Sequence, residues 1–385
     1  MKKIIVCLIC LNLWSAPCIA QEMEILSNDL MLADNATPDN EEQNNGENSS
    51  WFGFITRPLS GLFAGDEDVT VVQGEDGKEQ KKETPLERSV RLAEDGSLED
   101  QMNLAYMYLY GTNGVKQDYQ KAFKYYSMAA KQEDPIALNN LGSLYFNGIG
   151  TKRDIKTALN LFERASDLGN DNASINLGFI LLKGGTKDIQ RNQKAMEMFK
   201  KAQQEGNKIA QFMVGYAYYI GFVVQQDYAK AFKMIRTAAI GEAQIDEAQL
   251  ILSEMYIKGY GTTQNYQSAM NALRQSALQG NLDAILTLAD HYQSGDLNTK
   301  NPVMAHTLYN LAAAQNIREA ATMRDALGKK LKPEQIALAQ KNAQEYQAQP
   351  SELTNYIHQT YGNSLRYYID SNIQTTKEKD NDSTQ

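Results

Sequence analysis

Residues 145–165 read YFNGIGTKRDIKTALNLFERA. Their middle, Asn147-Gly148-Ile149-Gly150-Thr151-Lys152, offers glycines, a hydroxyl and a lysine ahead of a helical pattern, which are the parts of a phosphate-binding loop. The other reading is that the glycines do a structural job. Loops at matching positions elsewhere decide between the two: YGTNGVKQD, KGGTKDIQR, IGFVVQQD, KGYGTTQN and SGDLNTKN. The first glycine persists in every copy, while the lysine and hydroxyl wander. A phosphate site needs the reverse, with those side chains fixed and a strand leading in. A residue that ends a helix in the left-handed conformation is most cheaply a glycine. The stretch therefore reads as a hinge between two helices.

From about residue 86 the chain repeats itself. Loop glycines at Gly111, Gly148, Gly184, Gly221, Gly259 and Gly295 fall 36–38 residues apart, and alanines at Ala122, Ala158, Ala195, Ala231, Ala269 and Ala305 keep step with them. Two landmarks in step over six copies mark a repeat array. In the first helix of each unit a small residue recurs, as Ala105, Gly142, Gly178, Gly215, Ser253 and Ala289. A bulky residue follows three positions later: Tyr108, Tyr145, Leu181, Tyr218, Tyr256 and Tyr292. Both lie on one helical face, the small residue admitting a second helix and the bulky one filling the space beside it. Four residues before each alanine stand Asp118, Asp154, Arg191, Asp227, Asn265 and Asn301. All but Arg191 are preferred N-cap residues, so each is expected to start the second helix. Apolar residues four and seven beyond the alanine, such as Phe162 and Ala165, complete a stripe that only stacking on neighbours can bury.

The flanks differ from the array. Residues 1–20 have a basic start (Lys2, Lys3), a short apolar run (Ile4 to Leu13) and a small-x-small end (Cys18-Ile19-Ala20), the parts of a secretory signal peptide. Export by the Sec route to the periplasm or beyond is the expectation. Residues 21–85 form an acidic linker expected to be disordered: 15 acidic against 4 basic side chains fall within residues 21–84, and the remaining body is neutral. An aromatic island at residues 51–63 interrupts it, and its Trp51, Phe52 and Phe54 suit either membrane or envelope contact or a fold-back cap. Residues 86–327 carry the repeats, residues 328–371 are expected to form C-terminal capping helices, and residues 372–385 a disordered tail.

Composition also excludes chemistry. All three cysteines, Cys7, Cys10 and Cys18, lie in the leader, so a mature chain has no thiol and no cysteine-held metal. His291, His306 and His358 are scattered without a metal-ligand spacing. Acidic pairs such as Asp246-Glu247 are expected at turns, as caps or solvated groups. A neutral body without a basic stripe argues against nucleic acid as a partner. No catalytic residue, metal or cofactor is therefore expected, and the chain reads as a non-enzyme.

The pattern A-x3-LG-x2-Y-x2-G-x-G, then D-x2-KA with a closing Ala-Ala, resembles the Sel-one-like repeat, a subclass of the tetratricopeptide superfamily. It is carried here by ALNNLGSLYFNGIG and DIKTALNLFERASDLGN with five further copies. The resemblance implies an all-α, right-handed α-solenoid of about six helix-turn-helix repeats serving as a protein-interaction scaffold. Relatives take part in envelope assembly, in regulation of envelope enzymes and in host contact. A cysteine-rich branch linked to β-lactam binding is not matched, because the mature chain lacks cysteine. By tetratricopeptide geometry the first helices line a concave groove, and Tyr106, Ser143, Phe146, Phe179, Tyr216 and Tyr219 should face a protein or peptide partner docked across units one to four. Two alternatives stand beside this reading: an envelope tether acting through the aromatic island, and an enzyme acting on cell-wall glycans or β-lactams.

Overall fold

The computed structural model describes residues 83–182, 188–241, 243–297 and 299–361, residues 365 and 369, and the backbone of residues 71–73 and 79–81. They belong to a unit running from Pro58 to Gln385. Helix α1 (Pro85–Glu94) leads into six pairs. These are α2 (Leu98–Tyr110) with α3 (Tyr119–Ala130), α4 (Pro135–Asn147) with α5 (Ile155–Asp167), and α6 (Asp171–Leu182) with α7 (Ile189–Gln204). Then come α8 (Lys208–Ile220) with α9 (Tyr228–Ala239), α10 (Asp246–Lys258) with α11 (Tyr266–Leu278), and α12 (Leu282–Ser294) with α13 (Pro302–Ala314). Helices α14 (Arg318–Gly328) and α15 (Pro333–Glu345) follow, and α16 spans residues 352–361. Each helix of the array packs chiefly on its neighbours in sequence. The buried side chains form three successive clusters along the chain, as stacking of single-stripe helix pairs requires. The fold is an α-solenoid.

The small residue of each first helix works as the sequence implies. A Cβ on Gly142 would come within 2.9 Å of the Phe162 ring, and one on Gly178 within 2.6 Å of Phe199. In these pairs the second helix can approach so closely only because that position is bare. The hinge glycine of the opening stretch, Gly148, ends α4 at φ 71° and ψ 35°. Gly150 has φ +69°, and a Cβ there would lie 2.0 Å from the carbonyl oxygen of Tyr119, the first residue of the preceding unit's second helix. Gly150 is thus an inter-unit contact. The side chain of Arg153 donates to the Phe146 carbonyl at 2.9 Å. Asp154 caps α5, accepting from the Thr157 amide at 3.1 Å. A carboxylate already occupies the helix N-terminus where a phosphate would sit, which disposes of the nucleotide reading.

The cap residues also tie the two helices of a unit together. The backbone amides of Asp118, Asp154, Asp227, Asn265 and Asn301 donate to the carbonyls of Tyr108, Tyr145, Tyr218, Tyr256 and Tyr292. Arg191, the departure from the capping pattern in unit three, makes no such bond and does not cap. Asp188 is the cap there, accepting from the Arg191 amide at 3.0 Å, and α7 starts one turn early. The reason is chemical: arginine has no acceptor to offer free amides, whereas the aspartate three residues upstream does. The Arg191 guanidinium reaches back to the Ile180 carbonyl at 3.1 Å.

Upstream of the array, Val71–Gln73 pairs antiparallel with Glu79–Lys81, placing Val72 opposite Gln80. Within the acidic linker, expected to be disordered, these six residues form a short ladder. Its first strand has two β-branched valines, and turn-favouring Gly74, Asp76 and Gly77 stand between the strands. The leader at residues 1–20, the island at residues 51–63, loop glycine Gly184 and the tail at residues 372–385 lie outside the described residues. At the other end, α15 packs on α13, where the Thr307 hydroxyl donates to the Ala339 carbonyl at 3.3 Å. Helix α16, expected among the capping helices, lies elsewhere.

Candidate protein-binding face

The residues expected to face a partner divide into two groups. Tyr106 is half-buried and pairs with the exposed Tyr110, ring centroids 4.7 Å apart. Ser143 is half-buried and donates to the Asn139 carbonyl at 3.1 Å. Phe146 is half-buried beneath the Arg153 guanidinium, 5.5 Å from the ring centroid. Tyr219 is half-buried among Tyr216, Tyr228 and Tyr260, and burial together with the neighbouring Glu254 carboxylate pushes its phenol far above the usual range. Phe179 and Tyr216, by contrast, are only 3% and 1% exposed. The expectation that these two open onto a groove does not hold.

What covers this part of the face is the chain's own C-terminal helix. Thr354, Ile357, Tyr361 and Leu365 are all buried, whereas residues 358–360 are exposed. That three-then-four spacing is the buried stripe of an amphipathic helix. Ile357, Tyr361 and Leu365 share one packed cluster with Ile175, Phe179, Phe212 and Tyr216 of α6 and α8. The Tyr361 ring stacks on Phe179 with centroids 4.4 Å apart, and its hydroxyl donates to Asn176 Oδ1 at 2.6 Å. The segment before α16 is pinned as well. Tyr346 donates to the Ala277 carbonyl at 2.6 Å, the Gln349 amide to the Leu278 carbonyl at 2.8 Å, and the Ser351 amide to Gln279 Oε1 at 2.9 Å.

The seat continues onto α10. Five of the six first helices carry their own side-chain cap: Ser97, Asp134, Asn170, Asn207 and Asn281 each accept from an amide of the first turn. At α10 that position is Ile245, which has nothing to offer. The first amide of α10, that of Asp246, donates to the Thr354 hydroxyl of α16 at 3.3 Å, and the same hydroxyl donates to the Gln244 carbonyl at 3.2 Å.

Beside this bond, His358 Nε2 lies 3.2 Å from Asp246 Oδ2 and 3.1 Å from Glu247 Oε1. Asp246 is wholly buried and also accepts from Asn281 at 3.1 Å. Hydrogen bonds to Asp246 and Glu247 raise the His358 pKa to about 10. Burial and the adjacent Asp246 raise Glu247 to about 7. Burial works against ionisation of Asp246 too, but bonds from Glu247 and His358 prevail and hold it below its ordinary value. Potential ligand atoms of the three residues fall within 4.8 Å of one another, and a protonated His358 itself supplies one positive charge between the two carboxyl groups. Two expectations are corrected here: Asp246-Glu247 is neither a solvated pair nor a cap, and His358 is not isolated. Their locations in the sequence hide the relation, because the partners lie 111 and 112 residues apart and meet only when α16 docks.

A family model described as the Sel1 repeat matches residues 98–134, 135–170, 172–207, 208–240, 246–281 and 283–317, together more than half of the chain. The chain belongs to the Sel1 repeat family. Sel1 repeat proteins are protein–protein interaction scaffolds. An Arabidopsis thaliana protein named ERAD-associated E3 ubiquitin-protein ligase component HRD3B is 29% identical over 33% of this chain and 34% of its own length. The alginate biosynthesis protein AlgK of Pseudomonas syringae pv. tomato is 27% identical over 38% of this chain and 30% of its own. The chain thus matches about a third of the length of these relatives. A solved Sel1 repeat protein from Oxalobacter formigenes is 26% identical with a TM-score of 0.51, covering 60% of this chain and 99% of its own. That structure shares the helix-pair array of this Sel1 repeat protein.

Proposed function

We propose that this protein is an exported, non-enzymatic scaffold that takes a protein partner on the face formed by the first helices of its units. The observation that carries the reading is the seat of α16. A peptide segment with a buried amphipathic stripe already packs on Phe179 and Tyr216, so the face has the chemistry to hold polypeptide. Units one and two extend it with Tyr106, Tyr110 and Phe146, none of them fully buried. The leader of residues 1–20 supports export. Similarity to a protein named for alginate biosynthesis supports work in cell-envelope assembly. Affinity capture from the native envelope fraction tests the scaffold role. Tyr106→Ala with Phe146→Ala should lose the captured partner while helicity persists; undiminished capture by a folded variant refutes the placement. Tyr216 is no clean probe, since truncating a side chain 1% exposed opens a cavity in the core.

A second reading rests on the aromatic island. Trp51, Phe52 and Phe54 in an acidic linker suit a tether to membrane or envelope. Trp51 is the one tryptophan left once the leader is removed, so a blue shift of its emission on adding lipid vesicles supports the tether, and an unmoved spectrum rejects it.

A further inference from the structure

Helix α16 occupies its seat by means that go beyond apolar burial. Thr354, Ile357, His358 and Tyr361 stand at positions i, i+3, i+4 and i+7 of one helix, and each meets a different kind of receptor group. The hydroxyl at i reaches an amide and a carbonyl on either side of Ile245, the carbonyl also accepting from Gln279 Nε2 at 2.6 Å. The aliphatic side chain at i+3 and the ring at i+7 enter the Phe179, Phe212 and Tyr216 cluster. The imidazole at i+4 bridges two carboxylates. The receptor side is also irregular where the helix lands: α10 is the one first helix of the six units whose own cap is missing, and its first amide is completed by an incoming hydroxyl. Gln279, just after α11, adds a side-chain acceptor for the backbone that enters the seat. Such a face is shaped for a helix with one order of side chains, apolar at i+3 and i+7 with a cation at i+4 between them.

We infer that α6, α8 and α10 form a helix-binding groove whose external ligand is an amphipathic helix of the partner protein, bearing hydroxyl, aliphatic, cationic and aromatic side chains at i, i+3, i+4 and i+7, and that α16 holds the groove until such a helix displaces it. The inference rests on the scaffold reading above and adds to it the chemistry of the ligand and a self-occluded resting state. Asp246 and Glu247 set the sign: a helix with a carboxylate at i+4 would bring an anion against the Asp246 carboxylate and leave the acidic pair without its cationic partner. A tethered helix competes at an effective concentration that reaches the millimolar range for short linkers, so the intact chain binds a free copy of the same helix weakly.

The test uses the full chain and a labelled peptide of residues 349–365 (QPSELTNYIHQTYGNSL), with binding followed by fluorescence anisotropy. A chain carrying Ile357→Asp and Tyr361→Asp has an undocked α16 and should bind the peptide at least about tenfold tighter than wild type. A peptide with His358→Glu should lose that binding. Equal, weak binding to both chains, with helicity retained by circular dichroism, overturns the inference. Should the double variant fail to fold, the wild-type chain decides: excess peptide should speed amide exchange in residues 352–361, and unchanged exchange overturns the inference. A folded double variant that captures an envelope protein yet ignores the peptide removes the helix-groove assignment and leaves the scaffold reading standing. Loss of both removes both.

Discussion

Replacing Gly150 by alanine tests how the repeat units are joined. The residue sits at φ +69°, where any L side chain pays about 1–2 kcal/mol. Its added Cβ would also fall 2.0 Å from the Tyr119 carbonyl oxygen, and 2.7 Å from the carbonyl carbon. That is backbone at the start of α3, unable to rotate away, so units one and two must separate locally, at an overpacking cost of about 1–3 kcal/mol. Gly169 supplies the control. It has φ +89°, and a Cβ added there meets nothing within 4 Å, so Gly169→Ala carries the dihedral cost alone. The expectation is about 3 kcal/mol of destabilisation for Gly150→Ala against about 1–2 kcal/mol for Gly169→Ala. At about 2–4 °C per kcal/mol, thermal melts by circular dichroism should separate the two variants by several degrees. Equal melting temperatures would mean that the second hinge glycine serves only its own dihedral, and the inter-unit contact would have no energetic role.

Three further outcomes follow from the geometry. Tyr361→Phe keeps the stack on Phe179 but removes the bond to Asn176, so amide protection across residues 352–361 should fall by about 1 kcal/mol, while Tyr361→Ala should cost about 3 kcal/mol or more. Asp188→Ala should destabilise by about 1 kcal/mol in chemical denaturation, and Arg191→Ala by less, because the cap of α7 is the aspartate. Docking of α16 should also depend on pH. His358, raised from 6.5 to about 10, stabilises docking fully below pH 6.5 and loses that contribution as pH rises through 10. Glu247 is raised to about 7 by burial and by Asp246 on the same helix, whereas His358 lowers it, so the docking contact itself does not raise it. Asp246, lowered from 3.8, contributes above that value and loses its contribution as pH falls through its lower folded value. Protease sensitivity of residues 346–361 should therefore increase from about pH 6 to about pH 9, and His358→Gln should flatten the profile; a slope unchanged by that variant refutes the latch.

The array was legible because its information is local. A glycine, an alanine and a capping Asp or Asn recur along the array, and each acts on residues at most a few tens of positions away, as Gly178 does on Phe199. Where the local pattern breaks, as at Arg191, the cap lies three residues off, on an acceptor-bearing side chain. The occupant of the binding face was not legible in the same way. Tyr361 and Asn176 are 185 residues apart, and nothing periodic links them. Two traces of that contact are nonetheless written in the chain. One is Ile245, an apolar residue at the position where the other first helices carry a hydrogen-bonding cap. The other is the stripe Thr354, Ile357, Tyr361 and Leu365, an amphipathic face lying past the last unit of the array. A repeat that drops a cap leaves an amide unsatisfied, and burying one costs about 1–3 kcal/mol unless another group reaches it. An orphaned helix stripe likewise has to find a surface. Here the two defects lie together: Thr354 takes the Asp246 amide, the first of α10, two residues before the Ala248 amide that a capping side chain at position 245 would take. The break in the pattern, more than the pattern, is what locates the binding face.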